Sequence, residues 1–137
     1  MIVLDASAAV QWASDTRAPE IAPPRTGFVA PDLFVSEVQN AGFKYLRGRY
    51  LSRIQADSLV TTALRMVDRH FPAQALAREA WALAIEYDHS PYDMLYLALA
   101  VELDTEVLTA DVRFARKLRE TIRARHVRLV GPAAPHH

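Results

Sequence analysis

The sequence predicts an α/β fold in which helices cover both faces of a central, mostly parallel sheet. Short apolar runs alternate along the chain with longer segments whose apolar residues recur at helical spacing. Strands that are separated by helices pair in parallel and are buried on both faces, which makes an α/β/α sandwich. The 137 residues fit one domain, which we place at residues 1–130. We expect residues 131–137 to form a disordered C-terminal tail.

The first half of the chain is predicted to contain one strand and three helices. An apolar run at residues 2–4 predicts a strand, and the alanine-rich segment 6–13 predicts a helix. Residues 14–31 contain four prolines, which predict a loop or a broken helix. A second helix is expected from Asp32 to near Gly48, and Ser52 is the expected N-cap of a third that continues to Val67.

The second half is predicted to contain three helices and two strands. Residues 73–87 show helical periodicity, and Ser90 followed by Pro91 is typical of a helix start. The helix that begins there is apolar on all sides, so we expect it to be packed on most of them. The remaining predicted elements are a strand at 106–109, a helix at 111–121 and a strand at 127–130.

Composition limits the classes of function. Sixteen basic and sixteen acidic side chains give a formal charge of zero, which excludes a uniformly basic nucleic-acid binder. The absence of cysteine excludes disulfides, thiolate metal sites and cysteine nucleophiles. The longest apolar run, at 94–101, is too short to cross a membrane, and no secretory signal opens the chain. We therefore expect a cytoplasmic protein without a membrane partner.

Four acidic residues occupy positions that a parallel sheet could bring together. Asp5 ends the first strand and Asp111 follows the strand at 106–109, so both should project over one sheet edge if those strands are neighbours. Glu37 on the second helix and Asp93 at the start of the apolar helix could join them. Each also has a purely structural interpretation. Asp5 and Asp111 could cap helices, Asp93 could complete a capping box, and Glu37 could lie on a solvated face.

Positive charge is concentrated in two segments. Lys44, Arg47 and Arg49 belong to a run without acids, and Arg113 begins a second run that contains a single glutamate. Such runs are usually solvated helix faces. They could also contact phosphate groups, since fourteen of the sixteen bases are arginine.

The four acids belong to segments that together resemble a known family. The segments are residues 1–8 (MIVLDASA), 31–40 (PDLFVSEVQN), 90–100 (SPYDMLYLALA) and 107–111 (VLTAD). They resemble, in this order, the acidic motifs of PIN-domain nucleases, and more narrowly those of the VapC toxins of toxin–antitoxin pairs. The resemblance spans residues 1 to about 130.

This resemblance implies a metal-dependent endoribonuclease with a PIN-like domain, whose products carry a 5′-phosphate and a 3′-hydroxyl. Asp5, Glu37, Asp93 and Asp111 match the family's acidic quartet, with Asp5 and Asp93 as the most direct ligands. Oxygen ligands favour Mg²⁺ or Mn²⁺, which could activate a water to attack the phosphorus.

Other residues are expected to support this chemistry. Ser7 could hold a water near the ion, and Asn40 lies one helical turn from Glu37 and could orient it. The candidate RNA contacts are Lys44, Arg47, Arg49 and Arg113.

The same resemblance implies protein partners. A VapC-like toxin would form a homodimer, and a cognate antitoxin would cover the acidic pocket in a larger complex. We expect that apolar residues such as Phe34, Phe43 and Leu51 do not all find partners inside the domain. The family usually has a helix before its Pro-Asp-Leu-Phe-like segment, whereas residues 17–31 are short and interrupted by prolines here.

Other classes of enzyme that act on phosphate esters fit these residues less well. A haloacid-dehalogenase-like phosphatase would carry a second aspartate where this chain has Ser7, and no phosphate-binding glycine loop is present. Metal-free cleavage would need a histidine pair, but His70, His89 and His126 are far apart in sequence and are expected at the surface or at helix ends. Two functional alternatives stay open. One is a stand-alone PIN nuclease in RNA maturation, and the other is a catalytically weak module that binds an antitoxin or an operator.

Overall fold

Five parallel strands form the sheet of this protein in a computed structural model that describes residues 1–14 and 27–130. They are β1 (Ile2–Leu4), β2 (Phe28–Pro31), β3 (Val67–Phe71), β4 (Val107–Thr109) and β5 (Val127–Leu129). Their order in the sheet is β3-β2-β1-β4-β5, and every neighbouring pair is parallel. The chain moves outward from β1 to β2 and β3 and then returns to the other side of β1. The junction of β1 and β4 is therefore the switch point where ligands bind in such sheets.

Six helices surround the sheet within the described residues. They are α1 (Ala6–Ser14), α2 (Leu33–Arg47), α3 (Arg53–Leu64), α4 (Ala73–Tyr87), α5 (Pro91–Glu102) and α6 (Val112–Leu118), and a short 3₁₀ helix spans Ala124–His126. Helices α1, α2 and α3 pack on one another, whereas α4 packs on α5, and α5 lies against the three central strands. The predicted α/β/α sandwich is confirmed.

Local capping explains where several helices begin. Ser52 and Gln55 form a capping box, in which the Ser52 hydroxyl accepts from the Gln55 N–H and the Gln55 side chain accepts from the Ser52 N–H. The Ser90 hydroxyl accepts from the N–H of Tyr92, directly after Pro91. These starts were predicted from the sequence because a cap depends only on residues within one turn.

Two strands contradict the predictions from the sequence. Residues 28–31 were expected to be a loop because of the prolines, but they form β2, whose four residues are all buried. Pro31 is tolerated because it is the last residue of the strand. The third helix was expected to reach Val67, but it ends at Leu64, and Val67–Phe71 forms the edge strand β3. Pairing with β2 makes this segment a strand. Its own pattern does not predict one, because the three central residues of β3 are exposed and do not alternate between buried and exposed positions.

Further corrections concern helix length and burial. The helix expected at 111–121 covers only Val112–Leu118, and Thr121 instead caps the turn after it, through a hydroxyl bond to the Leu118 carbonyl. Phe34 is fully buried and Leu51 packs against the core, whereas Phe43 is 56% exposed. Of these three apolar residues, only Phe43 is mostly exposed.

The core lies around β1 and α5. Helix α5 is apolar over most of its circumference, and its residues from Tyr96 to Ala100 are all buried. No helix in the described part of the chain is long and apolar enough to cross a membrane. The expected disordered tail, 131–137, and most of the expected loop lie outside the described residues.

Candidate active site

The four predicted acids line a single pocket of about 610 Å³ at the carboxyl ends of β1 and β4. Strands β1 and β4 are neighbours, and their register pairs Leu4 with Leu108, which places Asp5 beside Thr109. Helix α2 brings Glu37 to the pocket, and the first turn of α5 brings Asp93. The tertiary structure thus assembles one acidic pocket from four separate segments.

Asp5 is the most deeply buried of these acids, at 4% exposure. Its Oδ2 atom accepts hydrogen bonds from the Thr109 hydroxyl at 2.6 Å and from the Ser7 hydroxyl at 2.9 Å. The pKa of Asp5 is raised to about 7, chiefly by burial and also by the charges of Asp93 and Glu37, while the hydrogen bonds from the two hydroxyls oppose the shift. A cation is therefore needed to keep Asp5 fully ionised at neutral pH.

Glu37 is held by a buried tyrosine. The Tyr96 hydroxyl donates to Glu37 Oε1 at 2.6 Å, and the Tyr96 side chain is completely buried beneath the pocket. Burial and the nearby charges of Asp5 and Glu37 raise the pKa of Tyr96, so its hydroxyl stays protonated and donates to Glu37. Burial also raises the pKa of Glu37, and the Tyr96 hydrogen bond opposes this.

Asp93 is held by a histidine that the sequence did not assign to the site. The Nε2 atom of His89 lies 2.6 Å from Asp93 Oδ2, and the His89 ring stacks on the buried ring of Phe114. Burial raises the pKa of Asp93, and the contact with His89 opposes the shift. His89 follows the C-cap of α4 and His126 ends the 3₁₀ helix, so both lie at helix ends as expected, but neither side chain is fully exposed. His89 contacts Asp93, and His126 is buried with its Nδ1 2.8 Å from the Thr105 carbonyl.

Asp111 has both of the roles considered from the sequence. Its Oδ1 atom accepts from the N–H groups of Arg113 and Phe114 and so caps α6. The same carboxylate lines the acidic pocket. Capping fixes the orientation of Asp111 and does not remove it from the site.

The four carboxylates share one arrangement. In each, hydrogen bonds from the described residues hold one oxygen, namely Oδ2 of Asp5 and Asp93, Oε1 of Glu37 and Oδ1 of Asp111. The other oxygen has no partner among those residues. Anchoring one oxygen while leaving the other free suits monodentate binding of a hard cation.

The donor set fits Mg²⁺ or Mn²⁺, although the carboxylates do not form a closed cage. Within residues 1–14 and 27–130, no three His, Asp or Glu side chains are close enough to hold one ion together. Mg²⁺ usually binds one or two carboxylates directly and keeps several waters. Mutual repulsion also keeps carboxylates apart when no cation is bound. The residues present therefore fit an ion that is shared with water and phosphate oxygens.

The other predicted residues lie at different distances from the acids. Ser7, Asn40 and Lys44 line the pocket, although Tyr96 rather than Asn40 contacts Glu37. Arg113 lines an adjoining depression that includes Asp93 and Asp111. Arg47 lies over the Phe43 ring at the end of α2, and Arg49 follows that helix. Neither lines the acidic pocket.

Comparison with known families identifies the fold that carries this pocket. The model of the PIN domain matches residues 2–119. This chain belongs to the PIN domain family. The match includes all four acids together with Tyr96 and Thr109.

A solved structure has the same fold as this chain. The crystal structure of PAE2754 from Pyrobaculum aerophilum superposes on this chain with a TM-score of 0.68, and the two are 21% identical in sequence. The superposition covers 92% of this chain and 81% of that one, which shows a common fold. No curated protein matches the sequence. PIN domains are typically metal-dependent nucleases, so membership supports a hydrolase.

The raised pKa of Asp5 predicts how stability depends on pH. In the metal-free protein, stability should fall as the pH rises from about 4 to 8, because the folded state binds the Asp5 proton more tightly than the unfolded chain does. Glu37 and Asp93 act in the same direction. Urea unfolding in EDTA should therefore show a smaller decline for Asp5→Asn than for wild type. If wild type and Asp5→Asn showed the same dependence of stability on pH, Asp5 would not be the buried group that causes the decline.

The contact between Tyr96 and Glu37 predicts a specific effect on metal binding. Tyr96→Phe preserves the buried ring but removes the only donor to Glu37 in the described structure, so Mn²⁺ should bind about tenfold more weakly or worse. Isothermal titration calorimetry at neutral pH measures this. Tyr45→Phe is the matched control, since it removes a hydroxyl from the rim of the same pocket. Equal affinities of the two variants would show that Tyr96 does not position Glu37.

Proposed function

We propose that this protein is a Mg²⁺- or Mn²⁺-dependent endoribonuclease that acts as the VapC-type toxin of a toxin–antitoxin pair. The observation that carries the nuclease assignment is the acidic pocket at the switch point, with one oxygen of each carboxylate anchored and the other free. The order of the four acidic motifs supports the narrower VapC assignment.

The residues of the pocket would have distinct roles in this reaction. Asp5 and Asp93 are the most direct ligands of the ion, and Glu37 and Asp111 complete the site or orient the attacking water. Ser7 and Thr109 fix Asp5 by donating to its Oδ2 atom. When bound, the divalent ion would supply an activated water and neutralise charge that develops on the phosphate. Cleavage would leave a 5′-phosphate and a 3′-hydroxyl.

Exposed apolar side chains support the proposal of protein partners. A groove between α2 and α3 is lined in part by Phe43 and Val60. On α4, Trp81 and Ile85 are 63% and 65% exposed and lie one helical turn apart. These surfaces suit a homodimer and an antitoxin that covers the pocket, since large exposed apolar side chains are common at protein contacts.

Substitution of the direct ligands tests the chemistry. Asp5→Asn and Asp93→Asn should each lower Mn²⁺-dependent cleavage of a labelled single-stranded RNA by about a hundredfold or more, because the ion loses a charged ligand. EDTA should abolish wild-type cleavage. Asp104→Asn is the control, since Asp104 is an exposed acid that pairs with Arg125 away from the pocket. Wild-type rates in both ligand variants, or cleavage that survives EDTA, would refute the proposed chemistry.

Expression in a bacterial host tests the toxin assignment separately. Induction of the wild-type chain should arrest growth, whereas Asp93→Asn should not, because arrest would depend on RNA cleavage. Co-expression of a small reading frame adjoining the gene should restore growth. An active nuclease that leaves growth unchanged would favour the stand-alone role in RNA maturation. Arrest by Asp93→Asn would show that toxicity does not come from cleavage.

A further inference from the structure

Two depressions continue the acidic pocket in one direction along the surface. The nearer one is lined by residues that include His89, Asp93, Asp111 and Arg113, so it shares two acids with the pocket. The farther one is lined by Asp88, His89, Arg113, Arg116 and Lys117. The two depressions share Asp88, His89 and Arg113, so a path leads from the four acids to the exposed face of α6. We call His89, Arg113, Arg116 and Lys117 the basic channel.

Among the described residues, some surface arginines are paired with acids, whereas the three bases of this channel on α6 are not. Three arginines outside it form ion pairs: Arg53 with Asp57, Arg125 with Asp104 and Arg128 with Glu106. Within the described residues, Arg113, Arg116 and Lys117 form no ion pair. Asp88 is the single acid among the residues that line the farther depression. Three positive charges that form no ion pair among the described residues therefore lie together beside the acidic pocket.

This layout addresses an electrostatic problem that the acidic pocket creates. An anionic strand that brings one phosphate to four carboxylates is repelled by them, and repulsion weakens only with distance and screening. Unpaired cations next to the pocket can offset it by holding the neighbouring phosphates. The planar guanidinium groups of Arg113 and Arg116 match the geometry of phosphate oxygens.

We propose that the basic channel binds the sugar–phosphate backbone of single-stranded RNA on one side of the scissile phosphate. This inference rests on the proposed nuclease function and deepens it by giving the strand a path from the four acids onto α6. The channel is open and its walls are charged, so it contacts phosphates rather than reading bases. His89 forms the wall where the channel meets Asp93 and so links strand binding to the orientation of that carboxylate.

A charge-matched pair of double variants tests the channel. Arg116→Gln/Lys117→Gln removes two exposed charges from the channel, and Arg125→Gln/Arg128→Gln removes two exposed charges outside it. Both are made in an Asp93→Asn background with Mg²⁺ present, so that a fluorescein-labelled RNA is not cut. Fluorescence anisotropy should show about tenfold weaker binding for the channel variant and less than about twofold for the control. The slope of log affinity against log salt should fall by about 1.4 for the channel variant, as expected when two phosphate contacts to a single strand are lost.

Three outcomes would overturn the inference. Equal losses in the two double variants would show an effect of total charge alone. Unchanged binding in the channel variant would show that the channel does not hold the RNA strand. If the Asp93→Asn parent protein did not bind RNA, RNA would not be the ligand of the channel. The nuclease function is tested separately. If the wild type cleaves RNA in a metal-dependent way and the channel variant has an unchanged KM, the channel proposal is rejected and the proposed nuclease function is retained.

Discussion

The buried carboxylate of Asp5 is the constraint on which the rest of the structure depends. It lies at the end of the central strand, where β1 meets β4, and it is 4% exposed. Burying an ionised group in this position raises the free energy of the folded state unless the group is hydrogen-bonded and its charge is neutralised. Ser7 from α1 and Thr109 from β4 supply the hydrogen bonds. They do not supply a positive charge, so the fold leaves a strong preference for a bound cation at this point.

The same hydrogen bonds that stabilise the fold also prepare the site. The Thr109 hydroxyl donates to Asp5 and accepts from the N–H of Asp111, and so connects two of the acids through one buried side chain. Asp111 in turn caps α6. For Asp111 the interpretation as a helix cap and the interpretation as a metal ligand are therefore compatible, since the cap uses only Oδ1. Orientation of a ligand by its neighbours raises metal affinity without any additional ligand.

The zero net charge hides a spatial separation of charge. Sixteen bases and sixteen acids cancel in the sum, yet the fold gathers four acids in one pocket and leaves unpaired bases on α6 beside it. Arg125 and Arg128, which do not line the pocket or the depressions next to it, are paired with acids. A total charge describes the average field at long range, whereas a phosphate at the surface responds to charges within about one Debye length, roughly 8 Å at physiological ionic strength.

The sequence by itself determined what depends on near neighbours in the chain. The start of α3 at Ser52 and the whole of α4 follow from capping and helical periodicity, and the four acids could be named from their positions in ordered motifs. The tertiary structure alone decided the elements that depend on distant partners. Strand β3 exists because β2 is there to pair with it. Tyr96 on α5 and His89 after α4 become part of the site only when the fold brings them to Glu37 and Asp93. Local sequence carries no signal for such contacts, because hydrogen bonds and burial between distant segments form only when the whole sheet and its helices are assembled.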